Sequence, residues 1–214
     1  MKKEAAIKII TDCAKIYDIN LANKNILFLF KSSGNKIEYF EAVFLPQHFL
    51  HLTGVQPSPK KTSTINFYKK CLTGKLSPHD FSFAPNGTTD MKLQVLQSLM
   101  KIDKTAKMVG EFNFSKSMLH TEKLAGSIVA CLGFAKNNKT RYYFPNTALK
   151  EDIRDLTVKP QQRIIAILKK GVKDTHYEQV CSVGKNVHLP DTLKMVSVNL
   201  PISQNLQDNK TDNS

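Results

Sequence analysis

The longest apolar run of the chain is followed by a short polar stretch and then by an aromatic run. Residues 124–135 are almost wholly apolar or small, which is typical of a central strand covered on both faces, where a period of two is invisible. Asn137, Asn138 and Lys139 are turn residues, and residues 141–144 are aromatic enough to run back as the partner strand. Because proline cannot donate a hydrogen bond to a sheet, we expect Pro145 to end the second strand of this hairpin.

Hydrophobic positions elsewhere predict helices before and between further strands. Apolar residues at helical spacing predict an amphipathic helix over residues 3–21 and a second one over about 88–100. A shorter helix is predicted at 66–72, strands at 26–30, 37–45, 108–113 and 163–168, and a turn at 32–35. Residues 177–187 fit either a helix or a strand. We predict one domain over residues 1–200 and a disordered polar tail over 201–214, where apolar residues are too few to offset the entropy of ordering.

The charge of the chain narrows the choice of partner. Lysine and arginine outnumber aspartate and glutamate by 31 to 18, giving a formal net charge of +13, and such a surplus attracts polyanions. Nucleic acid is the leading candidate, and an acidic protein or a membrane surface are the alternatives. Lys60, Lys61, Lys69 and Lys70 form a basic patch, which fits phosphate contact as well as a solvated face.

Cysteine usage and the missing motifs exclude several kinds of site. The four cysteines occur singly, without a C-x-x-C pair, which favours reduced thiols and a cytoplasmic location. Charges interrupt the first 15 residues, so we expect neither a signal peptide nor a membrane span there. The chain has no G-x-x-x-x-G-K-[ST], G-x-G-x-x-G or H-E-x-x-H motif, and its six histidines are dispersed. We therefore expect no cofactor and no metal.

Two groups of polar residues flank the predicted hairpin at the end away from its turn. One group precedes the first strand and another follows the second, so antiparallel pairing is expected to bring both groups to one end of the hairpin. This end is the candidate site, and its residues are Thr121, Glu122, Lys123, Asn146, Thr147, Lys150 and Arg154.

A histidine lies two residues before a threonine in an earlier apolar segment. His51 and Thr53 are set among apolar residues in HFLHLTGV, residues 48–55. A partly buried imidazole beside a hydroxyl can act as a general acid or base near neutral pH, but it can equally be a core or turn histidine satisfied by the backbone. Together with the cations, it provides what a metal-independent ribonuclease needs: a base for the ribose 2′-hydroxyl, cations for the phosphate and an acid for the leaving oxygen.

Three segments resemble a known family. They are HFLHLTGV (48–55), TEKLAG (121–126) and YFPNTALKEDIR (143–154), and they resemble the phage-encoded nuclease-like family named after barnase, EndoU, colicins E5 and D and RelE, in its fourth subgroup. The resemblance covers residues 3 to about 190. It implies an α+β fold in which an N-terminal helix and a helical insert accompany a central antiparallel sheet of about four strands, and it implies an RNA-cleaving activity.

The matching positions allow a physical assignment of roles. His51 would be the general acid or base, with Glu122 as the alternative base, and Lys123 and Arg154 would clamp the phosphate. The remaining candidates would orient or bind the substrate, and they are Thr53, Thr121, Tyr143, Asn146, Thr147 and Lys150. Lys150 and Arg154 also fit one face of a helix, where they could simply pair with Glu151 and Asp155.

These observations predict a metal-independent endoribonuclease that acts on RNA, such as tRNA or another structured RNA, through the ribose 2′-hydroxyl. We expect His51, Lys123 and Arg154 to meet in one concave site. The alternatives are a non-catalytic nucleic-acid-binding or phage accessory protein on the same fold, and a protein that blocks a host partner. An acidic antitoxin or a host protein is a further expected partner, and a membrane is not.

Overall fold

The computed structural model describes residues 1–32, 34, 36–59, 62–115 and 119–208. Eight α-helices lie in these residues: α1 Lys3–Asn20, α2 Phe49–Thr53, α3 Thr64–Leu72, α4 Thr88–Leu99, α5 Ile102–Thr105, α6 Ile153–Leu156, α7 Leu189–Val196 and α8 Gln204–Gln207. The strands are β1 Lys24–Lys31, β2 Ile37–Phe44, β3 Val55–Pro57, β4 Phe81–Phe83, β5 Met108–Glu111, β6 Lys123–Gly126, β7 Cys131–Lys136, β8 Tyr143–Leu149, β9 Gln162–Gly171 and β10 Gln179–Val183. A short 3-10 helix, Pro46–His48, precedes α2.

The main sheet closes on itself. Its strand order is β1-β2-β8-β7-β6-β5-β9, and β9 also pairs with β1, so these seven strands form a ring to which β10 is added alongside β9. The ring is mixed, because β2 and β8 are parallel whereas its other neighbours are antiparallel. The prediction of a central antiparallel sheet of about four strands is therefore wrong. The residues of β1 and β9 predict both strands, but the two are far apart in sequence, and no local pattern shows that they pair.

The central hairpin is present with different strand limits. Residues 124–126 belong to β6 and residues 131–135 to β7. Residues 127–130 reverse the chain between them, and Ser127 N donates to Ala130 O at 2.9 Å. The prediction of one long strand is wrong, since an apolar turn is indistinguishable from a buried strand by hydropathy. Pro145 does not end β8 either. It lies opposite Phe134, where the register shifts, and an irregular position of this kind tolerates a residue without an N–H.

Several of the other predicted elements are confirmed. The N-terminal helix, the helices at α3 and α4, and the strands at β1, β2, β5 and β9 occur where expected, and residues 179–183 form a strand. In the predicted tail, Ile202 is buried and residues 204–207 form α8, whereas residues 209–214 lie outside the described residues. Parts of two other predictions also lie outside them, namely Ser33 and Asn35 of the expected turn and Lys60 and Lys61 of the expected basic patch.

Strand alternation divides the apolar side chains between two faces. Phe28, Phe40 and Phe134 share one core with apolar residues of α1 to α4, and this face is the interior of the ring. Residues of the opposite face pack against α7 on β1 and β9, and against α6 on β6 and β7. Among the described residues, no helix combines the length and the apolar character that crossing a membrane requires.

Candidate active site

One open end of the ring is lined by polar side chains that point inward. Side chains two residues apart in a strand point to the same face of the sheet. Each of these polar residues is two residues from a core residue of its own strand and therefore points toward the interior; they are Glu38, Glu111, Lys123 and Gln162. Here β1 and β5 end and β2, β6, β8 and β9 begin. A cavity of about 40 Å³ is lined there by these four side chains and by Phe30, Phe40, Val109 and Gly110. We call this end the polar mouth and count Tyr143, the first residue of β8, as part of it.

Lys123 is the cation inside the polar mouth. Its Nζ lies 3.3 Å from Oε1 of Glu111 and 5.8 Å from the centre of the Tyr143 ring. The Lys123 side chain is 21% exposed and that of Glu111 is 72% exposed, so solvent reaches the pair from the Glu111 side. An ammonium group in this half-enclosed position can contact a phosphate that enters the mouth.

Tyr143 is held between the core and two carboxylates. Its ring packs edge-on against Phe40, with the ring centres 5.6 Å apart. Burial raises the pKa of the Tyr143 phenol, and the carboxylates of Glu122 and Glu111 raise it further. The phenol therefore keeps its proton at neutral pH and can donate a hydrogen bond or the proton itself.

Glu122 lies beside the mouth on the segment that enters β6. Its side chain is exposed, and its Oε1 accepts a hydrogen bond from Lys136 N at 3.0 Å. The structure thus brings three of the sequence-predicted residues, Glu122, Lys123 and Tyr143, to one end of the sheet. Sequence reasoning missed Glu38, Glu111 and Gln162. The period of two along each strand could have shown that these side chains share a face with core residues. No short stretch of sequence, however, indicates that the ends of their strands lie together at one mouth.

Thr121, Asn146 and Thr147 form a second group around Gly133. Thr121 Oγ1 donates to Asn146 Oδ1 at 3.1 Å, and Asn146 Nδ2 donates to the His120 carbonyl. A Cβ atom on Gly133 would lie 2.7 Å from Thr147 Cγ2 and 2.8 Å from Thr121 Cγ2. Thr121 and Thr147 are buried, so these contacts pack the segment before β6 against β7 and β8.

The two candidates on α2 have different surroundings. Thr53 is buried, and its Oγ1 donates to Leu50 O at 2.7 Å and accepts from Val55 N at 3.3 Å, which stabilises the end of α2. His51 is exposed, and its carbonyl accepts a hydrogen bond from Lys92 Nζ at 3.1 Å. Partial burial and the charge of Lys92 lower the pKa of His51. Its imidazole is therefore mostly neutral near pH 7, the form that can accept a proton.

Lys150 and Arg154 are engaged by other side chains. Lys150 Nζ donates to Gln94 Oε1 on α4. The Arg154 guanidinium binds Asp152, with Nη2 2.6 Å from Oδ2, and this pair holds the start of α6. Within the described ranges, no hydrogen bond or salt bridge joins any two of His51, Lys123 and Arg154. Their convergence in one site stays a prediction.

The three segments singled out in the sequence meet along β8. The His48 ring stacks on Phe144 with the ring centres 5.3 Å apart, which joins the first segment to the third. Thr121 bonds to Asn146 and Lys123 lies over Tyr143, which joins the second segment to the third. In the part of the chain that the structure describes, no group of three or more His, Cys, Asp or Glu side chains is arranged to hold a metal ion.

A family model described as phage-Barnase-EndoU-ColicinE5/D-RelE like nuclease4 matches residues 9–185, a range that includes the polar mouth and all three segments. No match was found among curated proteins or among solved structures.

Proposed function

This chain belongs to the phage-Barnase-EndoU-ColicinE5/D-RelE like nuclease4 family, and on that premise we propose that it is a cytoplasmic, metal-independent endoribonuclease whose chemistry takes place at the polar mouth. Membership of a nuclease-like family points to nucleic acid as the substrate. The observation that carries the finer proposal is the position of Lys123, with its ammonium beside Glu111 and over the ring of a protonated Tyr143.

These groups suit the cleavage of RNA by its own 2′-hydroxyl. Lys123 would stabilise the charge that develops on the phosphate oxygens in the transition state. Tyr143 would protonate the leaving 5′ oxygen, because a phenol holds its proton at neutral pH and its ring lies against the Lys123 ammonium. The base that deprotonates the 2′-hydroxyl would be Glu122 or His51, and the lowered pKa of His51 favours its proton-accepting form. Arg154 remains a proposed second phosphate clamp.

The substrate must approach several carboxylates, so cations at the edge of the mouth matter. Exposed lysines flank the strand ends on this side of the ring, and they are Lys31, Lys36, Lys136, Lys139 and Lys159. We call these the rim lysines. They would bind phosphates on either side of the scissile one.

Product analysis tests the proposal directly. Purified protein is expected to cut RNA, including tRNA, in the presence of EDTA and to leave 2′,3′-cyclic phosphate ends. A matched substrate with deoxyribose at the scissile position should stay intact, because it lacks the attacking hydroxyl. Cleavage of the deoxyribose substrate, or cleavage that disappears with EDTA and returns with a divalent metal, would reject this mechanism.

Two variants distinguish the candidate bases. Removal of a general base is expected to lower the rate on the order of 10²-fold or more, with little change in RNA affinity. His51→Ala and Glu122→Gln are compared under single-turnover conditions, and the variant that shows this loss identifies the base. If both variants keep the full rate, Glu111 becomes the next candidate, because it is the carboxylate in contact with Lys123.

The second candidate function is nucleic-acid binding without cleavage. The net charge of +13 favours it as much as it favours catalysis. Binding of RNA at low salt, together with no cleavage of any RNA tested, would put this function first. An acidic protein inhibitor is a further proposed partner, since it would compete for the same cations.

A further inference from the structure

The ring of strands is joined weakly at one position. β1 and β2 pair along their whole length, from Lys24↔Phe44 to Lys31↔Ile37. In contrast, β2 and β8 are joined through one residue pair, Ala42↔Tyr143. We call this junction the seam. Tyr143 therefore lies at the point where backbone pairing constrains the ring least.

An ion pair lies next to the seam on both strands. Glu41 precedes Ala42, and Arg141 is two residues before Tyr143. Arg141 Nε lies 3.0 Å from Oε2 of Glu41, and Nη2 lies 3.3 Å from Oε1, so the guanidinium engages both carboxylate oxygens. The Glu41 side chain is only 4% exposed. A forked contact to a buried carboxylate has a defined geometry, unlike a surface ion pair.

Glu41 is itself held from the other side. The Tyr177 hydroxyl donates to Glu41 Oε1 at 2.8 Å. Tyr177 is buried, and its backbone bonds to Pro201 O and Ser203 N at 2.8 and 3.1 Å. The carboxylate thus connects β2, the β7–β8 connection and the C-terminal segment, and it gives Arg141 a buried partner that is hydrogen-bonded on its other side.

The β7–β8 connection bonds mainly to itself. Asn137 N donates to Tyr142 O at 3.0 Å, and Thr140 N donates to Asn137 O at 3.2 Å. These bonds shape the turn but do not attach it to β2. The Glu41–Arg141 ion pair does attach it, two residues from the phenol that faces Lys123.

We propose that Glu41 is a positioning residue that acts through Arg141 to hold the seam closed and so to place Tyr143 against Lys123 in the polar mouth. This proposal rests on the proposed function, because it assigns Glu41 a role in the same reaction. Glu41 has no role in proton transfer, since its oxygens are occupied by Arg141 and Tyr177 on the opposite face of β2 from Glu38.

The test is a double-mutant cycle on single-turnover cleavage. Glu41→Gln keeps the shape of the side chain and an acceptor for Tyr177 but removes the charge that binds Arg141. A displacement of about 1 Å at a catalytic group can cost on the order of 10²-fold in rate, so we expect Glu41→Gln to lower the cleavage rate at least about 10-fold while RNA affinity changes little. In a Tyr143→Phe background, the same change should cost less than about twofold, because the group that Glu41 positions is already absent.

A matched control separates positioning from general destabilisation. Asp103→Asn removes another buried carboxylate, which pairs with Lys169 at 2.9 Å between α5 and β9. This variant is expected to unfold at lower urea concentration but to cleave at the wild-type rate while folded. Arg141→Lys should behave like Glu41→Gln, because lysine cannot reproduce the forked contact.

Equal rate losses for Glu41→Gln in the wild-type and Tyr143→Phe backgrounds would overturn the proposal. Native-state hydrogen exchange at the amides of Tyr143, Phe144, Asn146 and Thr147 tests the proposal independently of catalysis. Faster exchange in Glu41→Gln, with unchanged exchange in Asp103→Asn, supports a role at the seam, and unchanged exchange in Glu41→Gln overturns it. If the wild-type protein cleaves no RNA, the proposed function fails, and the exchange result still decides whether Glu41 holds the seam.

Discussion

Replacement of Lys123 by methionine tests whether the polar mouth is the reaction site. Methionine keeps much of the length of the lysine side chain and removes the ammonium. Loss of one group that stabilises transition-state charge typically costs on the order of 10² to 10³ in rate, or about 3–4 kcal/mol. We therefore expect Lys123→Met to slow single-turnover cleavage by that factor at saturating protein.

The same change should hardly affect the free energy of unfolding. Lys123 pairs with Glu111 at 3.3 Å, but the Glu111 side chain is 72% exposed. Exposed ion pairs contribute about 0–1 kcal/mol, because water and salt screen them. The midpoint of urea unfolding should therefore shift by no more than a loss of about 1 kcal/mol in unfolding free energy produces. This is well below the loss of about 3–4 kcal/mol expected in transition-state stabilisation.

The assay compares cleavage of a labelled RNA with urea unfolding of the same preparation. Lys8→Met is the control, because it makes the same charge change at an exposed position on α1, and we expect it to keep the wild-type rate. A Lys123→Met rate within about threefold of wild type, far short of the loss expected for such a group, would refute the placement of the reaction at the polar mouth. A rate loss explained by the unfolded fraction alone would refute it as well.

Three further predictions concern packing, pH and salt. Gly133→Ala should lower the free energy of unfolding by about 1–3 kcal/mol in urea titrations, because the new methyl would meet Thr147 and Thr121 at 2.7 and 2.8 Å; a stability equal to wild type would show that this junction relaxes freely. Burial lowers the pKa of His48 to about 4, below its unfolded value, so the folded state should lose stability as the pH falls from about 6.5 to 4. His48→Asn should show a shallower decline in urea titrations over this range, and an identical decline would assign the effect to other groups. RNA binding should weaken with salt by ~0.7 in log-log slope per phosphate contact, and replacement of the two rim lysines Lys136 and Lys139 by glutamine should lower that slope by about 1.4; an unchanged slope would place the contacts elsewhere.

The part of the site that could be predicted from the sequence depends on pairing between strands that follow one another in the chain. Glu122 and Lys123 precede an apolar strand and Tyr143 begins the strand of the β7–β8 hairpin, so their presence at one end follows from antiparallel connection. Glu38, Glu111 and Gln162 could not be assigned to this end in the same way. They enter the polar mouth because β1 pairs with both β2 and β9 and closes the ring, and that closure depends on contacts between residues far apart in the chain.

Local hydrophobic period determined the N-terminal helix and the strands β1, β2, β5 and β9, and composition alone determined the net positive charge, because none of these properties depends on contacts between distant residues. Only the tertiary structure decided that residues 124–135 fold as two strands, that Pro145 lies inside β8, and that seven strands form a closed, mixed sheet. It also decided which polar residues face the interior together. The reason is physical: a run of apolar residues is equally well buried in a strand or a turn, and the pairing order is selected by the packing of the whole core, to which every distant segment contributes.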